Sequence, residues 1–145
     1  MTERSGADAL DSGLRALRYR DRSAHELREW LASREFSSSD CDEALATLER
    51  TGLLDDRRFA ENRARALAGR GAGNALIRYA LEGAGVTSEA IAAALERLEP
   101  EADRARGIVS TRGPGPKTAR YLSSKGFSAD AVAGAVASAP EGELG

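Results

Sequence analysis

Apolar positions along the chain recur at a spacing that is repeated three times. From Leu31, Leu81 and Leu122, each segment runs five residues to a larger apolar side chain, Phe36, Val86 or Phe127, followed at once by a hydroxyl residue, Ser37, Thr87 or Ser128. Five residues past the apolar position stands another, Cys41, Ile91 or Val132, and four further on Leu45, Leu95 or Val136. The hydroxyl is placed to cap a helix by accepting an otherwise unpaired backbone N–H. The apolar residues on either side of it stand at N′ and N4, whose contact, the hydrophobic staple, sets the angle at which the chain enters the helix. Three staples in one register, each with its cap, predict a helix–turn–helix element present in triplicate.

A second helical pattern precedes each staple. Ser23 and Glu26 form a capping box ahead of Leu27, Trp30 and Leu31. Asn74 is placed to cap a helix bearing Ile77, Ala80 and Leu81, after the Gly71-Ala72-Gly73 turn. Gly113-Pro114-Gly115-Pro116 ends any helix before it, and Pro116 suits the first turn of the next, which carries Tyr121 and Leu122. A further helix comes before each pair. Leu10, Leu14 and Leu17 outline the first; Asp55 or Asp56 caps the second, with Phe59, Ala66 and Leu67; Ala102, Ala105, Ile108 and Val109 suggest the third. No alternating β-branched run or Asn-Gly hairpin signal is present. The expected fold class is all-α, with three tandem three-helix repeats over residues 10–51, 52–99 and 100–139 forming an elongated, curved array. Residues 1–9 and 140–145 are expected to be flexible tails.

Composition narrows the function classes. The single cysteine, Cys41, rules out an intrachain disulfide and a multi-cysteine metal site, and fits a reducing compartment. No stretch approaches the roughly 18 apolar residues of a membrane helix, so no membrane partner is expected. The net charge is −2, without the bulk positive charge of many nucleic-acid binders. Its distribution is uneven, however. Between Arg104 and Lys125 the chain carries Arg104, Arg106, Arg112, Lys117, Arg120 and Lys125 and no acidic residue.

Candidate chemistry is sparse. Gly113-Pro114-Gly115-Pro116-Lys117-Thr118 ends like a phosphate-cradling loop, but Pro114 and Pro116 lack the N–H groups such a loop needs and no strand precedes it, so a hinge is expected instead. Cys41 and His25 fall on different helices, Cys41 at a staple position filled elsewhere by Ile91 and Val132, which suits a small buried hydrophobe. Asp55 and Asp56 stand at a helix start, where capping explains them better than acid–base or metal chemistry. No catalytic residue, cofactor or metal ligand is expected. The basic residues remain as candidates for contact with phosphate or an acidic partner surface: Arg15, Arg18, Arg22, Arg28, Arg57, Arg112, Lys117, Arg120 and Lys125.

The segment Gly52-Leu53-Leu54-Asp55-Asp56-Arg57-Arg58-Phe59-Ala60 resembles the signature joining the first two repeats of RecX-type regulatory proteins. Arg22-Ser23-Ala24-His25-Glu26-Leu27-Arg28 with Leu31 and Phe36 is similar to that family's first repeat; Gly71, Gly73, Ile77, Leu81, Gly85 and Val86 match its second, and Lys125-Gly126-Phe127-Ser128 its third. The resemblance spans about residues 10 to 139. It implies a cytoplasmic, non-enzymatic modulator of the RecA recombinase that binds the RecA filament on single-stranded DNA and restrains strand exchange, ATP hydrolysis and co-protease function. A monomer is preferred. An independent helical protein that binds single-stranded DNA is the alternative, with Tyr121 as a stacking surface beside the basic segment.

Overall fold

The computed structural model describes residues 5–139, and the protein is helical throughout them. Nine helices follow in chain order: α1 (Gly6–Tyr19), α2 (Ala24–Ser33), α3 (Ser38–Arg50), α4 (Asp56–Gly69), α5 (Asn74–Gly83), α6 (Ser88–Glu96), α7 (Glu101–Arg112), α8 (Pro116–Ser124) and α9 (Ala129–Ala137). No strand occurs among the described residues. Extensive helix–helix contact is confined to the triplets α1–α3, α4–α6 and α7–α9, each of which closes on its own apolar cluster.

The repeated spacing has a local cause. The N–H of Phe36, Val86 and Phe127 donates to the carbonyl of Leu31, Leu81 and Leu122 at 3.3, 3.1 and 3.1 Å. This is the six-to-one bond of a Schellman turn, which brings the two apolar side chains five residues apart into one cluster. The next residue then caps the following helix: the hydroxyls of Ser37, Thr87 and Ser128 accept from the N–H of Asp40, Ala90 and Ala131 at 3.1, 3.2 and 3.1 Å. On the far side of each cap Cys41, Ile91 and Val132 are buried, completing the staples. Ser23 and Glu26 likewise form the expected capping box, and Pro116 opens α8.

Several expectations are corrected. The segment 1–9 is in part ordered helix: Ser5 makes a capping box with Asp8, and α1 starts at Gly6, while 1–4 and 140–145 lie outside the described residues. The inner face of α1 is Ala9, Gly13 and Ala16, with Leu10, Leu14 and Leu17 only partly buried beside it. Small residues win because α1 lies close on α3; a methyl on Gly13 would stand 3.1 Å from Leu48 Cδ1. In α4 the buried stripe is Phe59, Ala60 and Ala64, and Ala66 is exposed. Gly73, not Asn74, caps α5. Asp55 is the cap of α4, accepting from Arg57 and Arg58 N–H at 3.0 and 3.2 Å.

Between triplets the contact is narrow and polar, and it is made the same way twice. The cap of the middle helix donates to the carbonyl just before the next repeat's Schellman glycine: Ser23 Oγ to Ala84 O at 2.5 Å, and Gly73 N to Lys125 O at 2.8 Å. The first amide of that helix donates to a carboxylate at the first position of the next repeat's first helix: Ala24 N to Asp56 Oδ1 at 2.8 Å, Asn74 N to Glu101 Oε2 at 2.6 Å. The glycines themselves, Gly85 (φ 76°) and Gly126 (φ 91°), have no room for a side chain. A methyl on Gly85 would lie 2.4 Å from His25 Cβ, and one on Gly126 would lie 2.6 Å from Leu76 N. Asp56, expected as a local cap, thus caps a helix of the neighbouring repeat.

Candidate binding surface

The candidate cations divide by what the fold has already done with them. Arg22 is withdrawn from the surface: it is 7% exposed, its Nη1 donates to Ala16 O at 2.9 Å, and its guanidinium lies 5.6 Å from the Trp30 ring centre. Burial, and then the nearby charge of Arg20, pull its pKa below the usual guanidinium range. Arg22 holds α1 to α2, a structural task that corrects its assignment to the surface set. Arg28 bridges α2 to α3 through Asp42 at 2.5 Å. Arg57 is exposed, but it borders a hollow lined by Glu49, Asp55 and Asp56, which offset its charge. Arg104 is spent in the second joint, donating to Ala72 O at 2.9 Å and to Asn74 Oδ1, and Arg106 pairs with Asp103.

Two groups remain at the surface, the second with Tyr121 and Lys125 half-buried. On α1, Arg15, Arg18 and Tyr19 stand three and four residues apart and therefore share one face. Tyr19 is 85% exposed. On α8, Lys117, Arg120 and Tyr121 share a face in the same way, with Lys125 one turn beyond. Arg112, from the end of α7, lies 3.7 Å over the Tyr121 ring, a cation–π contact that holds both side chains in place. The α4–α5 turn borders this group, since a methyl on Gly71 would meet Tyr121 Oη at 3.6 Å and Lys125 Cε at 3.8 Å. Arg70, exposed beside that turn, adds a cation that the sequence reading did not include.

Tyr19 was also missed. The available signal was the dipeptide Arg-Tyr, which occurs at Arg18-Tyr19, Arg78-Tyr79 and Arg120-Tyr121 and uses all three tyrosines. Tyr79 is 76% exposed. Cations beside the exposed rings of Tyr19 and Tyr79 suit phosphate contact with base stacking, or an acidic protein surface.

The residues with catalytic potential are held apart from these faces. Cys41 is 2% exposed inside the first cluster, where burial raises its thiol pKa. His25 is exposed and pairs with Glu29 at 3.0 Å. No group of three or more His, Cys, Asp or Glu side chains at ligating distance occurs among the described residues, and no described helix is long and apolar enough to cross a membrane.

Comparison with known proteins matches the first two of these three-helix units. The family model "RecX, first three-helix domain" matches residues 9–48, and "RecX, second three-helix domain" matches 55–95. The regulatory protein RecX of Chromohalobacter salexigens is 36% identical over 144 residues, covering 93% of this chain and 95% of its own. That of Halorhodospira halophila is 34% identical over 141 residues, covering 90% and 88%. The crystal structure of RecX from Lactobacillus salivarius superposes with a TM-score of 0.79 at 19% identity, over 91% of this chain and 94% of that one, and so shares its fold.

Proposed function

The chain belongs to the RecX family, and we propose that it regulates a RecA recombinase in the cytoplasm by binding the RecA–single-stranded DNA filament and restraining strand exchange, ATP hydrolysis and co-protease function. The observation that carries this reading is the pair of cationic, tyrosine-bearing faces on separate repeats, Arg15, Arg18 and Tyr19 on the first and Arg112, Lys117, Arg120, Tyr121 and Lys125 on the third. Faces on different repeats suit a partner that is itself periodic. Each added contact becomes intramolecular once the first is made, so affinity accumulates without any single strong site. The protein acts by binding alone: hydrolysis by the recombinase falls because one filament state is favoured or protomers are lost.

The test is the rate of DNA-dependent ATP hydrolysis by the cognate recombinase as this protein is added, beside a binding assay on bare single strands. A fall at concentrations that leave bare DNA unbound supports filament regulation. Changing Arg112, Lys117 and Arg120 together to Glu is expected to weaken filament binding by about tenfold or more, with helicity unchanged. Unaltered binding by that variant removes the third repeat from the interface. The stacked Arg112–Tyr121 pair favours a second reading, independent binding of single-stranded DNA. Steep loss of affinity with rising salt on bare DNA, with no effect on the filament, supports that reading instead.

A further inference from the structure

Each joint between repeats has a donor half and an acceptor half. The donor half is the start of a middle helix, with its cap and first amide; the acceptor half is a Schellman glycine with a carboxylate at the head of the first helix. Repeat 1 uses its donor half and repeat 3 its acceptor half. The acceptor half of repeat 1 and the donor half of repeat 3 meet no described repeat. Such a joint is heterologous, and the same contact made between two copies would leave a new pair of half-joints open, so copies would add without closure into a chain of chains.

We infer that these two surfaces would otherwise join a second copy of this protein and are closed against it by Glu35, Ser5 and Pro116. Glu35 occupies the turn position of Gly85 and Gly126, four residues after Leu31 as they follow Leu81 and Leu122. Its φ of 67° shows the same left-handed turn, but its side chain projects where an incoming helix start would lie, at a position that in the internal joints leaves no space for even a methyl. Ser5 stands four residues before the buried Ala9, where Asp56 precedes Ala60 and Glu101 precedes Ala105, so this register position carries a hydroxyl that caps α1 in place of the acceptor carboxylate, and the nearby Asp8 accepts from the Ser5 amide. Pro116 is the first residue of α8, the position from which Ala24 and Asn74 donate their amides, and proline has no N–H to give. All three departures from the repeat fall on the half-joints that are not used internally. The internal joints keep every element.

The test restores the missing parts in the full chain, as Ser5→Asp, Glu35→Gly and Pro116→Ala together. None threatens the fold: Asp caps as Ser does, Gly relieves a left-handed residue, and position 116 is exposed at a helix start. Sedimentation equilibrium is expected to give wild-type protein one constant mass of 15.3 kDa. The triple variant is expected to climb in weight-average mass toward twice that value as concentration approaches about 1 mM, the range in which a linked joint operates. A variant that keeps the single-chain mass and the wild-type circular dichroism overturns the inference, as does association of the wild type. The converse variant, Gly85→Glu, carries the block into an internal joint. The Ala24 amide, which donates to Asp56, should then lose about tenfold or more of its exchange protection, while the Leu27 amide, bonded within α2, keeps its own. Unchanged protection of Ala24 equally overturns the inference, because a side chain at this turn would then not close the joint.

Discussion

Cys41 shows how one buried side chain leaves a mark on the whole protein. It stands at the staple position of Ile91 and Val132, with Sγ 3.9 Å from Phe36 O, and burial raises its pKa above the ordinary 9.0. A group whose folded pKa is raised binds its proton more tightly when folded, so its contribution is intact below the unfolded value and is lost as pH rises through the folded one. Stability measured by urea unfolding is therefore expected to fall as pH passes about 9. Cys41→Ala should flatten that slope, and an equal slope in the variant would assign it to other groups. The residue's burial was legible in the sequence because its spacing from Phe36 and Leu45 is local. Arg22 was not legible: its partners are the Ala16 carbonyl and the Trp30 ring, which only the packing of α1 on α2 brings to it. Arg15 and Arg18 look the same in sequence and stay exposed.

At the scale of elements, helices and turns were readable and joints were not. Schellman turns and caps are made within six residues, so their spacing is printed in the chain. The bond from Ser23 Oγ to Ala84 O joins residues 61 apart, and nothing near either residue announces it. Asp56 illustrates the same limit. Its place at a helix start suggested a local cap, yet Asp55 fills that role and Asp56 reaches α2 instead. The joint makes one turn position respond oppositely in two repeats. Gly126→Ala puts a side chain at φ 91° and against Leu76 N, and is expected to destabilise by about 2 kcal/mol or more. Glu35→Gly, at φ 67° with no repeat docked on it, should stabilise by about 1 kcal/mol. Urea midpoints of the two variants check the signs; a loss in both would mean that Glu35 makes contacts worth more than its backbone strain.

Taken as a whole, the molecule is three small cores rather than one. The third cluster, Ala105, Val109, Leu122, Phe127, Ala131, Val132 and Ala135, is rich in alanine and valine and has two large side chains, while the first buries Leu27, Leu31, Phe36, Leu45, Leu48 and Leu54. A fully buried Leu or Phe contributes about 2 kcal/mol, so the first repeat holds several kcal/mol more than the third. Native-state hydrogen exchange should accordingly show α7–α9 opening at lower free energy than α1–α3, as separate units. Equal protection throughout would mean that the narrow joints couple the repeats fully. Their sameness has another effect. Both point the start of a middle helix toward the following repeat, so the protein has a front and a back and no axis that exchanges them. A strand of nucleic acid and a helical polymer are directional in the same sense. Laid along either, this molecule has two inequivalent headings, and the face bearing Tyr19 leads in one and trails in the other.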